Sequence, residues 1–179
     1  MKKTFLLIIF ILNFENSYAE NKIAYIDINH ILNMSIVGQS ISKHIKNIKE
    51  KKNNELVIIE KQLADKEADI IKKKNIIEKN EFEKKVNILK GEIKKYRNKK
   101  LLFKEEIDKE KIKYTKIVLK NLNSIISKYV EENSITIVFP KKSIITAKKN
   151  LDITNSIMQL LNSQLSKIDF WHEVFKYFL

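Results

Sequence analysis

A chain of 179 residues with two glycines, Gly38 and Gly91, and one proline, Pro140, has few places to break a helix. Both residue types are poor helix formers, so their scarcity predicts long uninterrupted helix. The apolar pattern points the same way. Phe82, Val86, Leu89, Ile93, Tyr96, Phe103, Ile107, Tyr114 and Ile117 alternate in steps of four and three, with Lys100 and Glu110 in the two remaining slots. This is a heptad seam sustained over several repeats. Upstream, Leu56, Leu63, Ile70 and Ile77 recur every seven residues, and Ile41, Ile45 and Ile48 begin a similar stripe near Gly38. Two helices that each carry one apolar row bury it by pairing, which predicts an antiparallel hairpin.

The join is expected near residues 75–80. In Asn80-Glu81-Phe82-Glu83, the Asn80 side chain suits the first free amides of a helix, and Glu83, three residues on, suits a reciprocal bond to the Asn80 amide. Gly91 is not the tip, because the seam passes it without changing register. An outgoing arm from Gly38 to Asn75 extends roughly 57 Å at about 1.5 Å per residue, far more than a compact domain needs. The hairpin is therefore an extended limb, spanning 38–131.

Shorter elements flank it. Lys22 to Ile28 and Ile135 to Phe139 are β-branched and aromatic runs that read as strands, and Ile144 to Ala147 is a third. Pro140-Lys141-Lys142-Ser143 is the expected hairpin loop between the last two. Asp152 or Thr154 then caps a closing helix with the apolar face Ile153, Ile157, Leu160, Leu161 and Leu165. Residues 20–37 and 132–167 form a body drawn from both chain ends, and so few residues with open strand edges favour self-association. The expected fold class is α+β: a coiled-coil limb projecting from a small strand-containing oligomerisation body. Ile23, Tyr25, Ile135, Ile137, Phe139 and Ile144 are the candidate interface residues.

The chain opens with Met1-Lys2-Lys3, an apolar stretch from Phe5 to Phe14, and Ser17-Tyr18-Ala19 before Glu20. That is the form of a secretory signal peptide over 1–19, cleaved between Ala19 and Glu20. Its apolar core is shorter than the roughly 20 residues of a membrane-spanning helix. With no cysteine, disulfides and thiolate metal sites are excluded. At the other end, residues 168–179 form an aromatic extension in which Phe170, Trp171, Val174, Phe175 and Phe178 share a helical face, for packing on the body or for contact with a membrane interface.

The formal charge is +13, and the segment from Glu20 onward keeps 33 basic against 21 acidic residues. Such an excess suits an anionic partner: acidic protein, lipid headgroups or nucleic acid, the last disfavoured by export and by the lack of any recognition motif. Lys94, Lys95, Arg97, Lys99, Lys100 and Lys104 cluster on the return arm, and Lys72, Lys73 and Lys74 lie near the tip. They form either a solvated face or an anion contact. Val57, Ile58, Ile71, Leu101, Leu102 and Leu119 fall off the seam, as a widened packing stripe or as apolar contacts for a client. His30, His44 and His172 are scattered, no glycine-rich phosphate loop is possible, and no serine sits in a nucleophile elbow. No enzyme, cofactor or metal is expected.

Ile23-Ala24-Tyr25-Ile26-Asp27, followed by His30-Ile31-Leu32 and Gly38, resembles the first strand, short helix and helix start of the Skp/OmpH family of periplasmic chaperones. Ile135 to Phe139, the Ile144 run and Leu151-Asp152-Ile153-Thr154 resemble its closing strands and final capped helix. The likeness extends to about Lys167, and the tail beyond departs from it. The resemblance implies a periplasmic homotrimer whose strands form a central barrel. Its limbs would surround a cavity that holds unfolded outer-membrane proteins without ATP. The rival readings are a structural coiled-coil protein of the envelope, which would not need strands at both ends, and a basic lipid- or nucleic-acid-binding protein.

Overall fold

The computed structural model describes residues 22–170, so the expected signal peptide and the tail from Trp171 lie outside the described residues. Strand β1 (Lys22–Ile26) leads into a short helix α1 (Ile28–Met34) and then α2 (Ile36–Lys73). A turn over residues 74–78 sends the chain back through α3 (Lys79–Glu132) to strand β2 (Ile135–Pro140) and, after two 3-10 turns, helix α4 (Thr154–Gln164).

The hairpin forms where the heptads place it. Leu56 and Leu89 are buried, and Ile45, Ile48, Leu63, Ile70, Ile77, Phe82, Val86, Ile93, Tyr96, Phe103 and Ile107 are half-buried along the shared edge. Ion pairs flank it from side to side: Lys66 with Glu92 at 2.7 Å, Lys52 with Glu106, and Lys99 with Glu55 at 3.6 Å. One slot departs from the strict alternation. Lys100 is exposed, and Lys99 turns inward instead, its ammonium 5.1 Å from the Phe103 ring centroid beside Lys52 at 4.0 Å. Ion pairs this wet contribute little each, so the apolar row holds the arms together.

The Asn80 capping box does not form. Helix α3 starts two residues earlier, with Glu78 as its backbone cap and no side-chain cap bond. The Phe82 amide instead reaches the Glu78 carbonyl at 3.0 Å, which places Asn80 inside the first turn.

The body is knotted together by polar contacts between the chain ends. Asp27 caps α1 by accepting the His30 amide at 2.9 Å, while its own amide donates to the Thr154 hydroxyl at 2.9 Å. The Asp152 carboxylate accepts the Thr154 amide at 2.9 Å, and the Ile153 amide donates to the Tyr25 carbonyl at 3.0 Å. Lys141 lies 3.9 Å from both carboxylates. The cap position of the closing helix falls on Ile153, which makes no side-chain cap bond, and not on Asp152 or Thr154 as expected. Asp152, one residue earlier, holds the Thr154 amide, and the Thr154 hydroxyl fastens the helix to the end of β1. Beneath this, Ala24, Ile26, Ile31, Val37, Ile41, Tyr114, Val118, Leu122, Ile125, Ile153, Ile157 and Leu161 form one buried cluster.

The sheet corrects two expectations. β1 and β2 pair in parallel, with the whole hairpin as their crossover, in a register that sets Ile23 beside Ile137 and Tyr25 beside Phe139. The third strand, Ile144 to Ala147, is absent among the described residues, and so is the hairpin from Pro140 to Ser143. Lys141–Ser143 is a 3-10 turn, and Ile144 leaves it with extended dihedrals but no partner strand.

Gly38 is fixed by an elbow. The α1–α2 corner brings the Leu32 carbonyl so close that a Cβ at Gly38 would stand 1.9 Å from its oxygen, and the Ser35 hydroxyl caps α2 by accepting the Gly38 amide at 3.2 Å. Gly91, by contrast, has nothing within 4 Å of a Cβ position. Gly38→Ala is expected to destabilise the fold by about 1–3 kcal/mol or more through forced overpacking. Gly91→Ala should stabilise it by about 0.5–1 kcal/mol through helix propensity. Chemical denaturation of both variants measures the contrast, and similar values for the two would refute the elbow.

Candidate functional site

The two strands expose an apolar outer face. Alternation along β1 buries Ala24 and Ile26 and turns Ile23 and Tyr25 outward, with Ile23 47 % exposed. Opposite the step from Lys22 to Ile23, β2 carries one extra residue, Thr136, so Ile135 and Val138 pack towards the core while Ile137 and Phe139 remain 47 % and 42 % exposed. Ile23, Tyr25, Ile137 and Phe139 thus stand together on one side of the sheet. Of the expected interface residues, Ile135 is the one that leans inward. Ile144 is half-buried at the 3-10 turn, and its neighbour Ile145, which sequence reasoning left out, is wholly exposed.

The sheet is also open at one edge. β1 is covered on its far side by the isolated bridge from Tyr25 to Asp152, but no described strand pairs with the far side of β2. A parallel pair of strands this small is not stable alone, and an uncovered edge beside an apolar face invites a further strand.

Along the limb, the off-seam aliphatics divide. Leu119 packs against the body core, in agreement with a widened stripe. Val57, Ile58, Ile71, Leu101 and Leu102 do not: all five are more than half exposed. So are Ile76, Ile88 and Ile112, which the heptad pattern does not mark.

Helical spacing organises these residues and the cations into rows. Lys90, Lys94, Arg97, Leu101 and Lys104 follow one another at steps of four, three, four and three, and Ile112 lies eleven residues beyond Leu101 on nearly the same face. Each of these six side chains is exposed. This row runs along one flank of α3, about a quarter-turn round from the seam. On another face, Ile88, Lys95 and Leu102 repeat every seven residues. On α2, Val57, Ala64 and Ile71 do the same.

The cations differ in how far they are engaged inside the chain. Lys73 binds Asp69 at 2.7 Å, a bond that draws the Asp69 pKa below its ordinary value, and Lys99 is held between Glu55 and Phe103. Lys72, Lys74, Lys94, Lys95, Arg97, Lys100 and Lys104 make no ion pair among the described residues. The limb thus carries positive charge and isolated aliphatic side chains side by side, with no enclosed pocket.

No group of three or more metal-ligating side chains occurs among the described residues, and no described helix is long and apolar enough to cross a membrane. A shallow cleft of about 360 Å³ lies at the root of the limb, floored by Leu32, Ile41 and Ile45, with Lys111 at its rim.

Comparison with known proteins agrees with this architecture. The structure superposes on a putative outer membrane chaperone (OmpH-like) from Caulobacter crescentus CB15 with a TM-score of 0.75, at 19 % identity, over 83 % of this chain and 88 % of that one. No curated protein matches the sequence. The family model for outer membrane protein (OmpH-like) matches residues 22–161, from the first residue of β1 into the last turn of α4. The chain belongs to the OmpH-like family.

Proposed function

We propose that this protein is an ATP-independent holdase of the bacterial periplasm, which keeps unfolded outer-membrane proteins from aggregating between helical limbs. The observation that supports it most is the combination, on one exposed limb, of unpaired cations with isolated aliphatic side chains. Transmembrane β-strands alternate apolar and polar residues and offer no single motif to grasp. Many weak contacts of both kinds, spread along a narrow wet helix pair, suit such a client better than one deep pocket. The relative from Caulobacter crescentus, described as a putative outer membrane chaperone, supports the same reading.

The body serves assembly in this proposal. Three copies associate through the apolar face of Ile23, Tyr25, Ile137 and Phe139 and the free edge of β2. Ile144 and Ile145 supply an extended segment for a neighbouring copy, which gives the expected third strand a partner between chains. The divisions into body, 20–37 and 132–167, and limb, 38–131, follow, although Ile41 and Tyr114 to Ile125 add limb residues to the body core. Export through a signal peptide cleaved after Ala19 places the protein with its clients. The mechanism is non-enzymatic and needs no cofactor. Anionic lipid headgroups are a secondary contact for the same cations.

The decisive experiment dilutes an urea-unfolded outer-membrane barrel into buffer with and without the protein. The proposal expects the barrel to stay soluble at stoichiometric ratios, and aggregation as fast as in buffer alone would overturn it.

Assembly is tested by Ile137→Asp. A carboxylate on this face, buried by a partner without compensation, should cost several kcal/mol of association, enough to leave monomers by light scattering at micromolar concentration. An intact oligomer would move the interface elsewhere.

Client capture separates charge from grease. Replacing Lys94, Arg97 and Lys104 with glutamine keeps helix propensity nearly constant. It should slow capture at low salt, where the Debye length is about 30 Å, and leave the rate near the parent's at about 0.1 M, where it is about 10 Å. Leu101→Gln with Ile112→Gln should lower holding at every salt concentration. Stopped-flow fluorescence with a labelled client reads both, and equal salt slopes for parent and triple variant would return the cations to a solubilising role.

A further inference from the structure

We infer that the segment 165–170 is a strap that clamps the root of the limb to the body. Asn162, near the end of α4, accepts the Ile36 amide at 2.8 Å and so sits at the first turn of α2. The chain then leaves helix and runs on with Leu165, Ile168 and Phe170 packed against the core. Phe170 stacks on His44 of α2, ring centroids 4.0 Å apart and planes within 7° of parallel. Its edge contact with Tyr114 of α3 is 5.0 Å, and Tyr114 meets His44 edge-on at 5.5 Å.

His44 lies eight residues beyond Ile36, about 12 Å farther along α2. Six residues of extended chain reach at most about 20 Å, so 165–170 is long enough to run beside α2 from the body towards the limb. One aromatic ring from the last part of the chain thus touches both arms at the level where they leave the core.

The chemistry of the three rings suits a clamp. Tyr114 is 1 % exposed, the outermost large side chain of the buried cluster on α3. Desolvation lowers the His44 pKa against the opposing pull of Glu110, which agrees with a histidine ring partly covered by the stack. Beyond this level the arms are held to each other by the seam and its flanking ion pairs, and nothing described ties them to the body.

The consequence is mechanical: the strap limits how far the limb swings on the body. Because the chain has no cysteine, Lys61→Cys with Lys142→Cys allows site-specific spin labelling of mid-limb and body, with labelled chains diluted into unlabelled protein. The parent should give one narrow distance distribution. Phe170→Ala, and truncation after Lys167, should broaden it about twofold and speed amide exchange at residues 40–46 and 111–116 by about five- to tenfold, the scale of one or two lost aromatic contacts. Circular dichroism controls for folding. Phe170→Leu keeps apolar bulk without the ring and should fall between, while Phe170→Tyr should keep the narrow distribution. Unchanged width and exchange in a folded Phe170→Ala protein would overturn the strap, and so would equal broadening in Phe170→Tyr. None of these readouts uses a client, so the strap stands or fails independently of the holdase reading.

Discussion

Two helices of unequal length in one antiparallel hairpin cannot end together, and the rest of the structure follows from that mismatch. Helix α2 has 38 residues and α3 has 54. The ion pairs Lys52–Glu106 and Lys66–Glu92 and the His44–Tyr114 contact set the register between the arms, which brings Ile36 level with about Leu122 and lets residues 123–132 run on past the beginning of α2. That overhang of about 15 Å, with the turns just before it, is the pillar of the body. Val118, Leu122 and Ile125 there are buried in the body's apolar cluster, whereas the same helix farther out buries little except Leu89. The pillar also delivers β2 beside β1, so the parallel sheet is a by-product of how far α3 overshoots.

Different forces dominate in the two halves. In the body, twelve buried apolar residues and the Asp27, Asp152 and Thr154 bonds join segments more than a hundred residues apart, so loss of one contact is felt by every element. In the limb, each turn rests on its neighbour across one seam, with exposed ion pairs that add at most about 1 kcal/mol each. Stability there is local and roughly uniform. Such a limb tolerates exposed aliphatic side chains, because no second layer competes to bury them. In a globular domain the same leucines would have been drawn into the core.

This division explains what could be read in the sequence. The seam was legible because a repeat of 3.5 is a property of the chain itself, independent of what surrounds it. The body was legible as composition but not as pairing. β-branched runs at 22–28 and 135–139 mark strands, yet their parallel order depends on where the crossover ends, which no local pattern encodes. Ile144 to Ala147 has the composition of a strand and, within one chain, no neighbour to make it one. The Asn80 box failed because Glu78 lies at the backbone position where the turn already ends, and backbone geometry there decides the cap before side chains do. On the limb, the cations were named from clustering, but Lys99 and Lys100 exchanged roles because Phe103 offers a ring for one ammonium. Lys90 and Ile112 were missed although their spacing from Leu101 was available.

The tail shows how a local sequence reading can be right in kind and incomplete in reach. Of the two expectations for the aromatic extension, packing is seen for Ile168 and Phe170, in an irregular stretch, while Trp171, Val174, Phe175 and Phe178 lie outside the described residues. Here α4 stops at Gln164, and the residues after it gain more by following α2 than by coiling, because two aromatic side chains wait at the limb root. His44 read as a scattered histidine for the same reason. Its neighbours in space come from residues 114 and 170, and only the closed body brings them together.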